Sequence, residues 1–354
     1  MRAWDETEAA LARRAERRAE SDQDRLREIE SSGISLDPPA PSGTHRHGDL
    51  EHADDHVHPH AHSAPGERPV TGIVGAGAVG LALGVALHRA GWPVGAVASR
   101  DAARRERFRS LVPACRAFAE PDALVDDVEL VILAVPDDVV VPLAQSLRLY
   151  SGQAIVHTSG LLGAEVLHPA MAAGSQAGAF HPLVAFADLD RALAALVGAT
   201  IAIEGDDELA GHLADMADAI GGRPVRLAPG SKAAYHAAAV LAAGGVTTLL
   251  DTIREIAAIV GLDEEGALRI YVPLVLQTIA NAEALGIAVA LTGPATRGDT
   301  GTLRTHLAVL GARAPSTVPV YGALLERSIG IAEARGTLSP EVSERLRTAL
   351  AGAS

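Results

Sequence analysis

The stretch VTGIVGAGAVGLAL, residues 70–83, decides how the rest of the chain is read. An apolar run reaches Gly75, and Gly75, Gly77 and Gly80 then form G-x-G-x-x-G at the start of an alanine- and leucine-rich segment with helical character. Strand, glycine turn and helix in that order are the local signature of a dinucleotide site. The first glycine permits the tight turn, the second lets a pyrophosphate approach the backbone, and the third lets helix and strand pack closely. The amides of Ala78, Val79 and Gly80, at the helix amino end, are the expected cradle for the phosphates.

Working outward, apolar runs at 70–75, 93–99, 128–135, 153–158, 177–183 and 199–205 read as buried strands, with helical stretches such as 80–90 and 102–110 between them. Strand alternating with helix predicts an α/β fold, a doubly wound parallel Rossmann sheet over residues 69–228. Past GGRPVRL the pattern changes to long helices at 230–260, 263–286, 300–313, 316–335 and 339–350, which predicts an all-helical second domain over 229–354.

Residues 1–68 differ from both. Acids and arginines alternate from Asp5 to Glu30, and a Pro- and Gly-rich tract follows that holds His45, His47, His52, His56, His58, His60 and His62. That composition reads as a charged, His-rich disordered arm or linker. Imidazoles at such spacing also capture zinc, nickel or copper, but nothing in the pattern fixes a geometry, so no metal site is assigned.

The 354 residues carry a formal charge of −14, with 48% hydrophobic and 3% aromatic residues. The charge argues against a nucleic-acid surface, which needs clustered cations. One cysteine, Cys115, excludes an internal disulfide and suits a reducing cytoplasm. No secretory leader is visible, and the longest apolar run, 237–250, is too short to span a bilayer. A soluble cytoplasmic protein without a membrane partner is expected.

The end of the second strand selects the cofactor. An NAD site places Asp or Glu there for the ribose 2′-hydroxyl, but here Ser99 and Arg100 occupy it, with Arg104 and Arg105 following. Arginine offers a planar fork of donors to a 2′-phosphate, so NADP is favoured over NAD. Asp101 is the counter-argument, since a register one residue longer would set a carboxylate at the ribose. Val135 and Pro136 end a later strand where the crevice would lie, although a strand-end turn explains them equally well.

Candidate chemistry gathers at further strand ends. HTSG gives His157, expected on the cofactor side, and Ser159, and FHPL gives His181. The helical domain opens with SKAAYHAAAVLAAGG, in which Lys232 and His236 stand four residues apart on one helical face. A lysine on an alanine-lined face is partly desolvated, which makes it a better proton donor near neutral pH. A helix-start lysine that reaches out to water is the bland alternative. The loop ALTGPATRGD places Thr292 and Arg297 between two helices, and Arg297 is suited to hold a substrate carboxylate in a bidentate pair.

Together GxGxxG, AVPDD, HTSG, FHPL, K-x-x-Y-H (232–236) and LTGPATRGD resemble the Rossmann-like reductases joined to a helical carboxy-terminal domain of unknown function, over residues 68–335. That group is similar in plan to pyrroline-5-carboxylate reductase, ketopantoate reductase and the β-hydroxyacid dehydrogenases. The resemblance implies an NADP-dependent oxidoreductase that is a homodimer through its helices. It implies a catalytic lysine at Lys232 and an asparagine four residues on, where this chain has His236. A Ser-Asn pair that commonly follows falls here on Ala243-Gly244. The expected reaction is hydride transfer from NADPH to a small carboxylate-bearing ketone, a 2-keto acid such as ketopantoate, or to a cyclic imine. Lys232 or His236 would give the proton, Arg297 with Ser159 and Thr292 would hold the substrate, and His181 would line the nicotinamide side. The alternative is a noncatalytic NADP-binding sensor or scaffold with a metal- or partner-binding arm.

Overall fold

The computed structural model describes residues 68–167 and 175–352, all within one compact unit that spans His60–Ser354. Its first half is an eight-stranded sheet. In chain order the strands are β1 (Thr71–Val74), β2 (Val94–Ala98), β3 (Arg116–Phe118), β4 (Leu130–Leu133), β5 (Ala154–His157), β6 (Gln176–Pro182), β7 (Thr200–Glu204) and β8 (Arg223–Arg226). They lie side by side as β3-β2-β1-β4-β5-β6-β7-β8, with the chain reversing its march after β3 and so opening a crevice at the carboxyl ends of β1 and β4.

Helices cover both faces. They are α1 (Ala78–Arg89), α2 (Ala102–Leu111), α3 (Asp122–Val125), α4 (Asp137–Ser146), α5 (Leu189–Leu196) and α6 (Asp207–Ala219). The strands are short and apolar because two cores enclose them. Ile73, Val97, Ile132 and Val156 face one core; Val74, Ala98, Leu133 and Ile155 face the other. Such burial on both faces explains why these strands appear as continuous apolar runs.

The sheet corrects the expectation of a wholly parallel arrangement at one place. β7 runs antiparallel to β6, and every other pairing is parallel. The segment between β6 and β7, which holds the short helix α5, brings the chain back into the sheet from the end at which it left. Two strands were not expected from the sequence. β3 and β8 sit at the two sheet edges, hold Arg116, Arg223 and Arg226, and have no apolar run to announce them.

The second half is helical: α7 (Lys232–Val240), a π-helical turn (Leu241–Gly245), α8 (Val246–Ala258), α9 (Glu264–Leu285), α10 (Ile287–Ala290), α11 (Thr300–Arg313), α12 (Val318–Ala334) and α13 (Pro340–Ala351). Asp263, Asp299 and Ser339 cap α9, α11 and α13 through side-chain oxygens, which is why those starts could be read in the sequence. Leu303, Ile329, Ala332 and Leu346 form a small core among α11, α12 and α13. The opposite holds for α7 to α9, where Leu241, Ile270, Leu274, Leu276 and Ile279 are all exposed.

The continuous helical stretch Lys232–Ala258 is long and apolar enough to cross a membrane by length and composition, with a mean hydropathy of 1.4 over its most apolar window. The apolar run 237–250, by itself too short to span a bilayer, is thus the middle of a longer helical stretch that the π-turn carries through Gly244 and Gly245. Thr247 and Thr248 donate to the carbonyls of Ala243 and Gly244 and tie the irregular turn to the next one.

Candidate active site

The crevice is built on the glycine turn. Gly75 has φ +107°, and a Cβ there would meet the Ala134 carbonyl oxygen at 2.2 Å. A Cβ on Gly80 would meet the Gly75 carbonyl oxygen at 1.9 Å, so that glycine sets how closely α1 can approach β1. Around Gly77 a Cβ would meet nothing within 4 Å. The first and third glycines are thus occupied by the fold, and the second faces open space. Gly77 caps α1 without a side chain, and α1 has no acidic residue in its first turn. That leaves the amides of Ala78, Val79 and Gly80 beside that space with a favourable helix dipole.

At the end of β2 the side chains divide their work. Asp101 accepts from the amides of Ala103 and Arg104 at 2.9 and 3.1 Å as the cap of α2, and Arg104 pairs with it at 3.3 Å. Arg105 donates to the Ser99 carbonyl. Arg100 is exposed and has no hydrogen-bonded or ionic partner among the described residues. The carboxylate that competed for the ribose is therefore spent on a helix cap, and one cation stays free. Val135 and Pro136 follow β4 beside Gly75, with Pro136 capping α4.

A second cluster forms where α7 meets the strand ends. Lys232 is only 2% exposed, and its Nζ donates to the Ser159 carbonyl at 2.6 Å across 73 residues of chain. Burial pulls its pKa below the ordinary lysine range, opposed by Glu204, Asp137 and Glu165. It is the one lysine in a chain whose other 29 cationic side chains are arginine. Lysine titrates readily when buried and arginine does not, so the single exception falls where a transferable proton has most use.

His181 and His236 lie edge to face with centroids 6.0 Å apart, and Tyr235 approaches His181 at 5.8 Å. Burial first, then the Lys232 charge, lowers His181 to about 4, which leaves it neutral at pH 7. A Cβ on Gly160 would meet His236 Nδ1 at 2.3 Å and His181 Nε2 at 2.8 Å. The glycine of HTSG thus keeps room for both rings. Nδ1 of His157, His181 and His236, Oη of Tyr235 and Oε1 of Glu204 are all enclosed without a partner among the described residues. Of these, the His181, His236 and Tyr235 rings are in mutual contact, and their enclosed polar atoms are groups that a polar ligand or ordered water would satisfy.

The other expected site residues have the following contacts. His157 is wholly buried, with Nε2 on the Gly163 carbonyl at 3.0 Å, so it supports the turn that follows β5. Ser159 uses its Oγ to accept the amides of Leu161 and Leu162, and it is its carbonyl that meets Lys232. Thr292 and Arg297 are exposed, and no hydrogen bond or ion pair joins them to the Lys232 cluster among the described residues. Asp299 in the same loop caps α11 through Thr302. Gly160, Glu204 and Glu165 were not anticipated. Of these, only Gly160 had a signal, its place in HTSG. Ala243 and Gly244 fall in the π-turn and are exposed. The histidine-rich tract and its metal question lie outside the described residues.

A glycine-turn crevice in a doubly wound sheet, followed by a helix that delivers a buried lysine, defines a dinucleotide-binding architecture with a helical second half. Residues 57–182 match the Rossmann-like domain, and residues 199–328 match a domain of unknown function (DUF2520), so the chain carries both in tandem. No curated protein matches it. Among solved structures it is similar to the candidate NADP oxidoreductase BF3122 from Bacteroides fragilis, at 23% identity and TM-score 0.62 over 74% of this chain and 98% of that one. It is similar to protein TM1727 from Thermotoga maritima at 26% identity and TM-score 0.59, over 75% and 99% of the two chains. It is also similar to a reductive aminase from Aspergillus terreus in complex with NADPH and ethyl-5-oxohexanoate, at 19% identity and TM-score 0.58 over 80% and 99%. These likenesses establish the fold.

Proposed function

We propose that this protein is an NADP-dependent oxidoreductase that reduces a small ketone or cyclic imine at the junction of its two halves. The observation that carries the reading is the buried Lys232 ammonium, 2.6 Å from the Ser159 carbonyl, beside the strand ends of a sheet whose glycine turn leaves Gly77 open. When bound, NADPH supplies the hydride. The residues that would hold it are Gly75, Gly77, Ala78, Val79 and Gly80 at the pyrophosphate, Val135 and Pro136 along the crevice, and Ser99 with Arg100 at the 2′-phosphate. Arg100 is free while Asp101 is engaged as a cap, which supports NADP over NAD. Structural neighbours described with NADPH add to that support.

In this scheme Lys232 gives its proton to the oxygen or nitrogen that gains charge as the acceptor carbon is reduced. His236 takes part beside it. His181, neutral at pH 7, orients the acceptor through a hydrogen bond without adding a cation. The charges that act on Lys232 are three carboxylates, and Arg297 is not assembled with the cluster in a single chain. That balance favours a neutral ketone or an imine over a 2-keto acid such as ketopantoate.

The apolar exposed faces of α7 to α9 are assigned to a second copy of the chain, making a homodimer through the helical half. A membrane is the competing cover for Lys232–Ala258. Lys232 argues against it, because the start of that helix is pinned to the Rossmann half.

The deciding experiment is NADPH consumption across a panel of cyclic imines, simple ketones and 2-keto acids, with and without residues 1–68. Turnover of imines or ketones is expected. Tight NADPH binding with no oxidation of it by any panel member would favour a sensor or scaffold instead.

A further inference from the structure

Glu204, the last residue of β7, is a buried ionisable group that the scheme above does not use. Its Oε2 accepts the Ala164 amide at 2.8 Å, and its Oε1 is enclosed with no partner among the described residues. The Ala164 amide closes one end of a short turn, and Lys232 holds the other. Along that turn, Ser159 carbonyl accepts from Lys232 Nζ, Ser159 Oγ accepts from Leu161 and Leu162, and the Gly163 carbonyl meets His157 Nε2. The sheet register aligns the same parts, since His157, Ala179 and Glu204 stand in one row across β5, β6 and β7. Residues in one row share a face, and the middle member here is only a methyl.

We propose that Glu204 is a positioning residue for Lys232, fixing with one carboxylate oxygen the turn whose Ser159 carbonyl orients the ammonium and balancing that ammonium with its charge. This rests on the reading of Lys232 as proton donor. Among the charges that act on Lys232, Glu204 stands first, ahead of Asp137 at the start of α4 and Glu165 in the turn Ala164–Leu167. The remaining titratable neighbours are His157 on β5, His181 on β6 and His236 on α7. Burial holds His157 and His181 below the ordinary histidine range, so they bring no competing cation at neutral pH. Without Glu204, a buried ammonium would lose its main electrostatic support and the turn would lose an anchor.

The test uses the full chain and needs no turnover. Because Lys232 is the sole lysine, protein labelled with 13Cε-lysine gives one side-chain resonance, and its pH titration reads this amine alone. Glu204→Gln keeps an oxygen for the Ala164 amide and removes the charge. The Lys232 midpoint is expected to fall by about one pH unit, and by less in Asp137→Asn and Glu165→Gln. A folded Glu204→Gln protein whose midpoint stays within about 0.2 unit of the parent overturns the proposal, as does a larger fall in Asp137→Asn. Hydrogen exchange of the unaltered protein gives a second check if the variant does not fold. The Ala164 amide should exchange at least roughly tenfold more slowly than a free amide, and exchange at the free rate sinks the latch. Failure of the NADPH panel alongside a shifted midpoint would remove the proposed reaction and leave Glu204 in place.

Discussion

In the sheet half Ile73, Val97, Ile132 and Val156 are sealed from solvent, whereas in the helical half Leu241, Leu274, Leu276 and Ile279 stand out in it. Both halves are rich in the same aliphatic residues, so composition does not separate them. The sheet half satisfies its apolar surface within one chain, with a core on each face. The first three helices of the second half leave theirs uncovered, while the last three close around Leu303, Ile329 and Leu346. A sheet half with a closed core therefore sits beside helices with an exposed apolar face, and Lys232 links the two through the Ser159 carbonyl.

The largest expected effect breaks that meeting point. Lys232→Ala should cut turnover about 10²- to 10⁴-fold and leave NADPH binding nearly unchanged, because the crevice belongs wholly to the sheet half. Steady-state kinetics with a fluorescence titration of NADPH would decide it, and undiminished turnover would remove Lys232 from the chemistry.

Next comes the uncovered surface. Leu276→Asp on α9 should weaken self-association by roughly 100-fold, read by sedimentation velocity, while NADPH still binds. If the parent chain is monomeric and partitions onto lipid vesicles, the helices were made for a membrane and the comparison must be redrawn.

Arg100→Ala should weaken NADPH by roughly tenfold to 100-fold and change NADH little, since only the former offers a 2′-phosphate to the guanidinium. Equal losses for the two cofactors would mean that the phosphate is read elsewhere.

The smallest effect concerns pH. His181 is lowered to about 4 in the folded chain, so between that value and the ordinary histidine range the unfolded chain binds the extra proton. Stability should therefore rise with pH across that window, being lower at pH 5 than at pH 7 by about 2 kcal/mol. His181→Gln should flatten the dependence in urea titrations at the two pH values. His157, lowered in the same direction by burial, contributes a residual slope.

Much of the sheet was legible because its buried strands are continuous apolar runs and its glycine turn has a fixed grammar. The long helices of the second half were legible from the change of pattern after residue 228, and the starts of α9, α11 and α13 coincide with side-chain caps. β3 and β8 were not, since an edge strand of three or four residues with arginines carries no apolar signal. The reversal of β7 is a matter of strand direction, which periodicity does not encode. At the site, Lys232 and the histidines stood out as polar residues in apolar surroundings. Glu204 did not, because a terminal glutamate on a strand usually points to solvent, and only the fold turns it inward to the Ala164 amide. Arg297 has the chemistry to hold a carboxylate but no hydrogen bond or ion pair to Lys232 among the described residues, and its loop packs by Ala295 into the core among α11, α12 and α13.

The lone lysine has one more consequence. A protease that cuts only after lysine finds a single bond in the entire chain, between Lys232 and Ala233. In the folded protein that bond lies at the seam, with its side chain locked under Ser159. Scission into two fragments would thus act as a clock for how often the two halves part, and any molecule that settles in the seam would slow it.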